Sequence, residues 1–205
     1  MGPPLALFDF DGTLTYGDSL LPFLRFALSP MELGVGALKS LPYLSAFALR
    51  LIDNETAKQN LLRHTLGGRS IRTLRSIGGE FAKNRVSGLL REDTMSRLGE
   101  HQALGHTCVL VSASLDLYLN PWADSVGFDH CLCSRLQTGN DQKATGRLAG
   151  GNCYGEEKVR RIHALLEGLD APESIHAYGD SRGDRPMLAM ADHAFWVTAK
   201  GIVES

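Results

Sequence analysis

Several polar side chains stand where apolar runs of the sequence end. LALF leads into Asp9, Phe10, Asp11, Gly12 and Thr13; TCVLV leads into Ser112; SIHAYG leads into Asp180 and Asp184. Lys158 opens the amphipathic segment EEKVRRIHALLEGL. Carboxylates withdrawn from water are costly unless compensated, so Asp9 and Asp11 call for solvent, a cation or a reaction. A spacing of two along extended chain sets both acids on one side. Singly, each position has an ordinary explanation: Asp-Gly is a common turn, Ser112 and the later acids suit caps or turns, and Lys158 suits a solvated face. In this order, each at an element end, they read as one site.

The elements that must position them follow from the pattern of the chain. Residues 5 to 10 read as a strand buried on both faces. From about 18 to 100, Leu, Ala and Arg dominate and apolar positions recur at helical spacing, as at Ala57, Leu61, Leu62 and Thr65. Ser29-Pro30, Asp53-Asn54, Gly67-Gly68 and Gly78-Gly79 read as breaks between helices, with Ser70 a candidate cap. The strand signal returns in TCVLV, ending at Ser112, and again in DHCLCSRL. QTGNDQKATGRLAG reads as a hairpin or turn-rich excursion, and the helix after it should bury Val159, Ile162, Leu165, Leu166 and Leu169. SIHAYGDS is then a strand into a turn, DRPMLAMA a helix and HAFWVT the final strand. Alternating strands and helices predict an α/β fold, a Rossmann-like parallel sheet with helices on both faces. The expected organisation is a discontinuous core, residues 1–17 and 101–205, with an all-helical cap inserted over residues 18–100. In such sheets the active crevice lies beyond the carboxyl ends of the strands, where these polar residues fall.

Composition narrows the function. A chain of 205 residues with 43% hydrophobic content can form a substantial core, and a formal net charge of -2 with 7% aromatic residues gives no support to nucleic-acid binding. The cysteines lack zinc-like spacing and read as reduced thiols, and His64, His101, His106, His163 and His176 form no ligand cluster. Trp122 and Trp196 read as core. MGPPLALFDF is not a signal peptide, and the apolar stretch from 20 to 52 is interrupted by Arg25, Glu32, Lys39 and two prolines. A cytoplasmic protein without a membrane span is expected.

DFDGTLT, VSAS, the lysine of EEKVRRI and YGDSRGD together resemble the four motifs of the haloacid dehalogenase superfamily of phosphatases. A helical insertion after the first motif is similar to the phosphoserine-phosphatase-like subfamily. The resemblance implies Mg²⁺-dependent hydrolysis of a small phosphate monoester. Asp9 would be the nucleophile that becomes an aspartyl phosphate, and Asp11 the general acid and then base. Ser112 and Lys158 would hold phosphoryl oxygens. Asp9, Asp180 and the backbone carbonyl of Asp11 would bind Mg²⁺, with Asp184 orienting a metal-bound water and Thr13 fixing the loop. An acid at position 11 favours phosphatase or phosphomutase over dehalogenase or transport ATPase. Phosphoserine phosphatases usually read Ser-Gly-Gly-Phe in the second motif, whereas this chain has Ser112-Ala113-Ser114-Leu115. Asp18 is the candidate counterpart of their amine-binding acid, or else a cap for a helix starting at Ser19. Arg25, Lys58, Arg63, Arg69 and Arg72 are either leaving-group contacts or a solvated face. The apolar segment 31–52 is either cap packing or a seat for a lipid-like or aromatic group. Phosphoserine phosphatase, phosphomutase and a non-catalytic binding module are the alternatives to a general phosphatase.

Overall fold

In the computed structural model, which describes residues 1–204, β1 (Leu5–Phe8) runs through the middle of a seven-stranded sheet. It pairs in parallel with β2 (Thr107–Leu115) on one edge and β5 (Ile175–Gly179) on the other, which is why all four of its residues are buried. β3 (His130–Thr138) and β4 (Ala144–Ala149) extend the sheet beyond β2, and β6 (His193–Thr198) and β7 (Gly201–Glu204) extend it beyond β5. The pairings β3–β4 and β6–β7 are antiparallel and the rest are parallel. The α/β expectation holds, with an antiparallel strand at each edge. QTGNDQKATGRLAG resolves as the β3–β4 hairpin.

Alternation along the central strands divides the core between the two faces of the sheet. Ala6, Phe8, Cys108 and Leu110 pack on one face with Phe23, Leu62, Phe81, Tyr118 and Trp122. Leu5, Leu7, Val109 and Val111 pack on the other with Ile162 and Met187. The first face is covered by α1 (Leu20–Ala27), α4 (Ile71–Asn84), α5 (Glu92–Ala103) and α6 (Asp116–Val126); the second by α7 (Glu156–Leu166) and α8 (Arg185–Ala189). α2 (Pro30–Ala48) and α3 (Asn54–Thr65) complete the helical run between β1 and β2. Sequence sets where these helices begin. Ser29 and Glu32 form a reciprocal capping box on α2 with Pro30 at its first position, and the side chains of Asp53 and Ser70 cap α3 and α4. Among the described residues, no helix is long and apolar enough to cross a membrane.

Four local expectations change. Gly78-Gly79 does not break a helix: α4 runs through both, because Gly78 lies where α4 crosses α6 and a Cβ there would sit 2.1 Å from the Leu117 carbonyl oxygen. β2 does not stop at Ser112 but continues to Leu115, its pairing with β3 slipping in between. HAFWVT is not the last strand, since β7 returns against it after a tight turn in which the Thr198 hydroxyl donates to Gly201 O (2.9 Å). α7 ends at Leu166, leaving Leu169 exposed beyond it.

Candidate active site

β1 delivers Asp9 and Asp11 at its carboxyl end. The chain then folds tightly over Phe10 O, which accepts from the amides of Thr13 (3.2 Å), Leu14 (2.9 Å) and Thr15 (3.0 Å). Gly12 makes this turn with φ +85°, and a Cβ there would lie 2.2 Å from Asp180 Oδ2, so only glycine lets the loop lie against Asp180. The Thr13 hydroxyl donates to Asp180 Oδ1 at 3.3 Å, tying the ends of β1 and β5 together.

Lys158, in the first turn of α7, is almost wholly buried and uses all three of its protons. It donates to Asp9 Oδ1 (2.6 Å), Asp184 Oδ1 (2.6 Å) and Val111 O (2.8 Å). Asp184 Oδ2 in turn accepts from Ser181 N (2.9 Å), Ser181 Oγ (2.7 Å) and Asp180 N (3.3 Å). Burial by itself would lower Lys158, but Asp9 and Asp184 outweigh it and hold the ammonium above its usual range. Burial, reinforced by the charge of Asp184, raises Asp9 well above the ordinary carboxylate range and pushes Asp180 up to about 6.

One carboxylate oxygen each from Asp9, Asp180 and Asp184 can be chosen so that all lie within 4.8 Å of one another. Three hard oxygen donors opposed by a single ammonium leave negative charge that burial makes costly, and a divalent cation relieves it. The residues present therefore fit a metal of the Mg²⁺ type.

Asp11 faces a different network. Its Oδ1 accepts from Ser19 N at 2.8 Å and its Oδ2 from the Ser114 hydroxyl. Tyr118 OH donates to Ser114 Oγ at 2.9 Å and also meets Ser19 Oγ at 2.9 Å. Burial raises Asp11, with the charge of Asp18 adding to it and the Ser114 and Ser19 hydrogen bonds pulling the other way. Ser112 Oγ, also buried, accepts from Ser114 N at 3.1 Å.

These groups line one cavity of about 280 Å³, with Asp9, Asp11, Ser112, Lys158 and Asp184 among its walls. Asp180 and Thr13 bond to that cluster from beside it. Asp18 reaches the wall as well, exposed and accepting from Leu21 N at 3.1 Å, so it caps a helix that starts at Leu20, one residue later than expected. Among the cap cations, Lys58 enters the cavity, donating to Ala113 O and, at 3.4 Å, to Asn152 Oδ1. Arg69 instead pairs with Glu32 at 2.6 Å, away from the site. Sequence reasoning missed Ser19, Ser114, Tyr118 and Asn152. The signal it could have used for Ser114 is the two-residue spacing from Ser112 along a strand, which places both hydroxyls on one side.

A family described as haloacid dehalogenase-like hydrolase matches residues 6–189. The chain belongs to this family. Within the haloacid dehalogenase-like hydrolases it is 35% identical over 190 residues to protein CicA of Caulobacter vibrioides, covering 93% of this chain and 84% of that one. It is 31% identical over 193 residues to a Mycobacterium tuberculosis protein named "Probable phosphatase Rv3661", covering 92% of this chain and 67% of that one. Its fold is similar to that of a probable phosphoserine phosphatase from Vibrio cholerae, with a TM-score of 0.68 at 16% identity over 93% of this chain and 54% of the other. The resemblance read from the sequence thus holds at the level of the haloacid dehalogenase-like family, with a fold similar to that of phosphoserine phosphatase structures. The family match makes the chain a haloacid dehalogenase-like hydrolase.

Proposed function

We propose that the protein is a Mg²⁺-dependent phosphatase acting on a small phosphate monoester through an aspartyl phosphate on Asp9. The observation that carries this reading is the paired arrangement of Asp9 and Asp11. Asp9 is held by Lys158 within the three-carboxylate group, whereas Asp11 stands outside that group in a hydroxyl network suited to moving a proton. Asp9 attacks phosphorus; Asp11 protonates the departing alkoxide and then takes a proton from the water that opens the acyl phosphate. Lys158 and Ser112 bind phosphoryl oxygens, Lys158 by exchanging one of its carboxylate contacts for the substrate. Asp9, Asp180 and the carbonyl of Asp11 would hold the metal, with Asp184 behind them and Thr13 bracing Asp180. When bound, Mg²⁺ would offset the charge of the phosphoryl group and orient it for in-line displacement. Residues 18–100 would supply the cap through α2 and α3, whose Leu44, Phe47 and Lys58 line the cavity, closing over the phosphate and excluding water, while residues 1–17 and 101–205 supply the sheet.

The test is phosphate release from an aryl phosphate with Mg²⁺, compared with Asp9→Asn. That substitution keeps the shape of the side chain and removes the nucleophilic carboxylate, so the variant should fold with an unchanged circular dichroism spectrum and show no turnover. Turnover by purified Asp9→Asn removes the aspartyl-phosphate route, and full wild-type activity after thorough chelation removes the metal.

A further inference from the structure

We propose that the leaving group of the substrate is an apolar chain seated in the groove between α1 and α2, so that the substrate is an amphiphilic phosphate monoester. The proposal rests on the phosphatase reading and specifies its substrate class. The catalytic cavity of about 280 Å³ adjoins a second one of about 780 Å³, and the two share Asp18, Leu20, Leu44 and Leu61 as walls. The larger cavity continues past Leu24, Leu28, Leu33 and Ala37, and its charged lining residues are Asp18 and Arg25. Its volume is in the range of small-molecule sites, so it is a room for a leaving group that opens from the phosphate site.

The chemistry of the walls selects the occupant. An amino acid, sugar or nucleoside would bring several amines and hydroxyls into a space whose walls are mainly leucine side chains, and each polar group buried without a partner is penalised. A hydrocarbon chain needs no partner there and gains from leaving water. Phosphoserine would fill little beyond the smaller cavity and leave the leucines of the larger one unused. α2 also carries Gly34 on the groove wall, where an added Cβ would meet nothing within 4 Å, so the space is open up to the helix backbone.

The experiment measures kcat/KM for n-alkyl phosphates from butyl to decyl, below their micellar concentrations and with Mg²⁺, beside phosphoserine and a chain-free aryl phosphate. The expected result is a rise of up to about fourfold per added methylene, and roughly a hundredfold or more across the series. Gly34→Phe, which projects a ring into the groove, should cut the decyl-to-butyl ratio by about tenfold or more. A flat series, phosphoserine exceeding the decyl ester, or an undiminished ratio in Gly34→Phe overturns the groove as the chain's seat while aryl phosphate turnover leaves the phosphatase reading standing. Absence of release from every ester, aryl phosphate included, overturns both.

Discussion

Replacing Ser114 with Ala tests whether the Asp11 network, and not Asp11 alone, sets the proton chemistry. Ser114 Oγ donates to Asp11 Oδ2 and receives Tyr118 OH at 2.9 Å, within a cluster where Ser114 and Tyr118 are at most 2% exposed. In the variant, Asp11 keeps Ser19, whose amide donates at 2.8 Å, and Tyr118 keeps Ser19 Oγ. A hydrogen bond to a charged group contributes about 1.5–3 kcal/mol, so its loss should raise the proton affinity of Asp11 by roughly ten- to a hundredfold. The sign follows from which form the bond favours: Ser114 stabilises the carboxylate, so removing it lets the protonated acid persist to higher pH. In kcat/KM, where protonated Asp11 serves the leaving group, the alkaline limb should move to higher pH. In kcat, where the carboxylate must activate water, the acid limb should likewise move to higher pH and the rate on that limb should fall. The assay is a pH–rate profile of aryl phosphate hydrolysis with Mg²⁺, alongside thermal unfolding to show that the variant is native. A native Ser114→Ala protein with wild-type limbs and kcat refutes the assignment of Ser114 to Asp11.

Three further outcomes follow from the same structure. Gly78→Ala should destabilise the protein by about 1–3 kcal/mol and lower Tm by several degrees, because a Cβ 2.1 Å from Leu117 O forces α4 off α6 by more than the gain in helix propensity restores; an unchanged Tm would show that the helices separate freely. His101 is pushed down to about 4, by burial first and then by His176 and His106, so the folded state resists a proton that the unfolded chain accepts near pH 6.5; stability should fall by on the order of 1–2 kcal/mol from pH 7 to 5, and an NMR titration midpoint for His101 near the free-imidazole value contradicts this. Mg²⁺ binding near pH 6 should release protons and tighten as pH rises from 5 to 7, since Asp180 sits at about 6 and the metal needs carboxylates; calorimetric heats independent of buffer ionisation would remove Asp180 from the site.

The placement of the candidate site residues was legible because it is local. Asp9 and Asp180 each follow an apolar strand, Ser112 follows the apolar run TCVLV within β2, Lys158 stands in the first turn of an amphipathic helix, and parallel strands deliver their carboxyl ends to one side of the sheet. What failed to show depended on contacts across long stretches of chain. Ser19 meets Ser114 across 95 residues and Lys58 meets Ala113 across 55, and no spacing rule links such positions. Gly78-Gly79 carries the same local signal as a helix break, and only the crossing with α6 shows why glycine is kept inside a continuous helix. The histidines are not independent of one another: His101 Nδ1 lies 2.8 Å from His106 Nδ1, and the His176 ring stacks on His193 with centroids 4.6 Å apart. β5 and β6 lie side by side and bring His176 opposite His193, a pairing that depends on sheet order.

Charge explains why so many acids are tolerated at one end of the sheet. Asp9, Asp11, Asp180 and Asp184 face the ammonium groups of Lys158 and Lys58, and Lys58 is itself lowered by burial while Asp11 and Asp18 support its charge. With every group ionised, the site is negative before a phosphate dianion arrives, and like charges in a low-dielectric cavity repel strongly. Two remedies exist, protonation or a cation. The raised proton affinities of Asp9 and Asp180 are the signature of the first in the protein alone. A bound divalent cation would supply the second, taking the place of those protons and lending the positive charge that an incoming phosphate requires. On the proposed reading, the acids that make the site inhospitable to phosphate alone are the ones that would let it bind phosphate together with a metal, while Asp11, held in its hydroxyl network outside the three-carboxylate group, would be free to exchange a proton with the substrate.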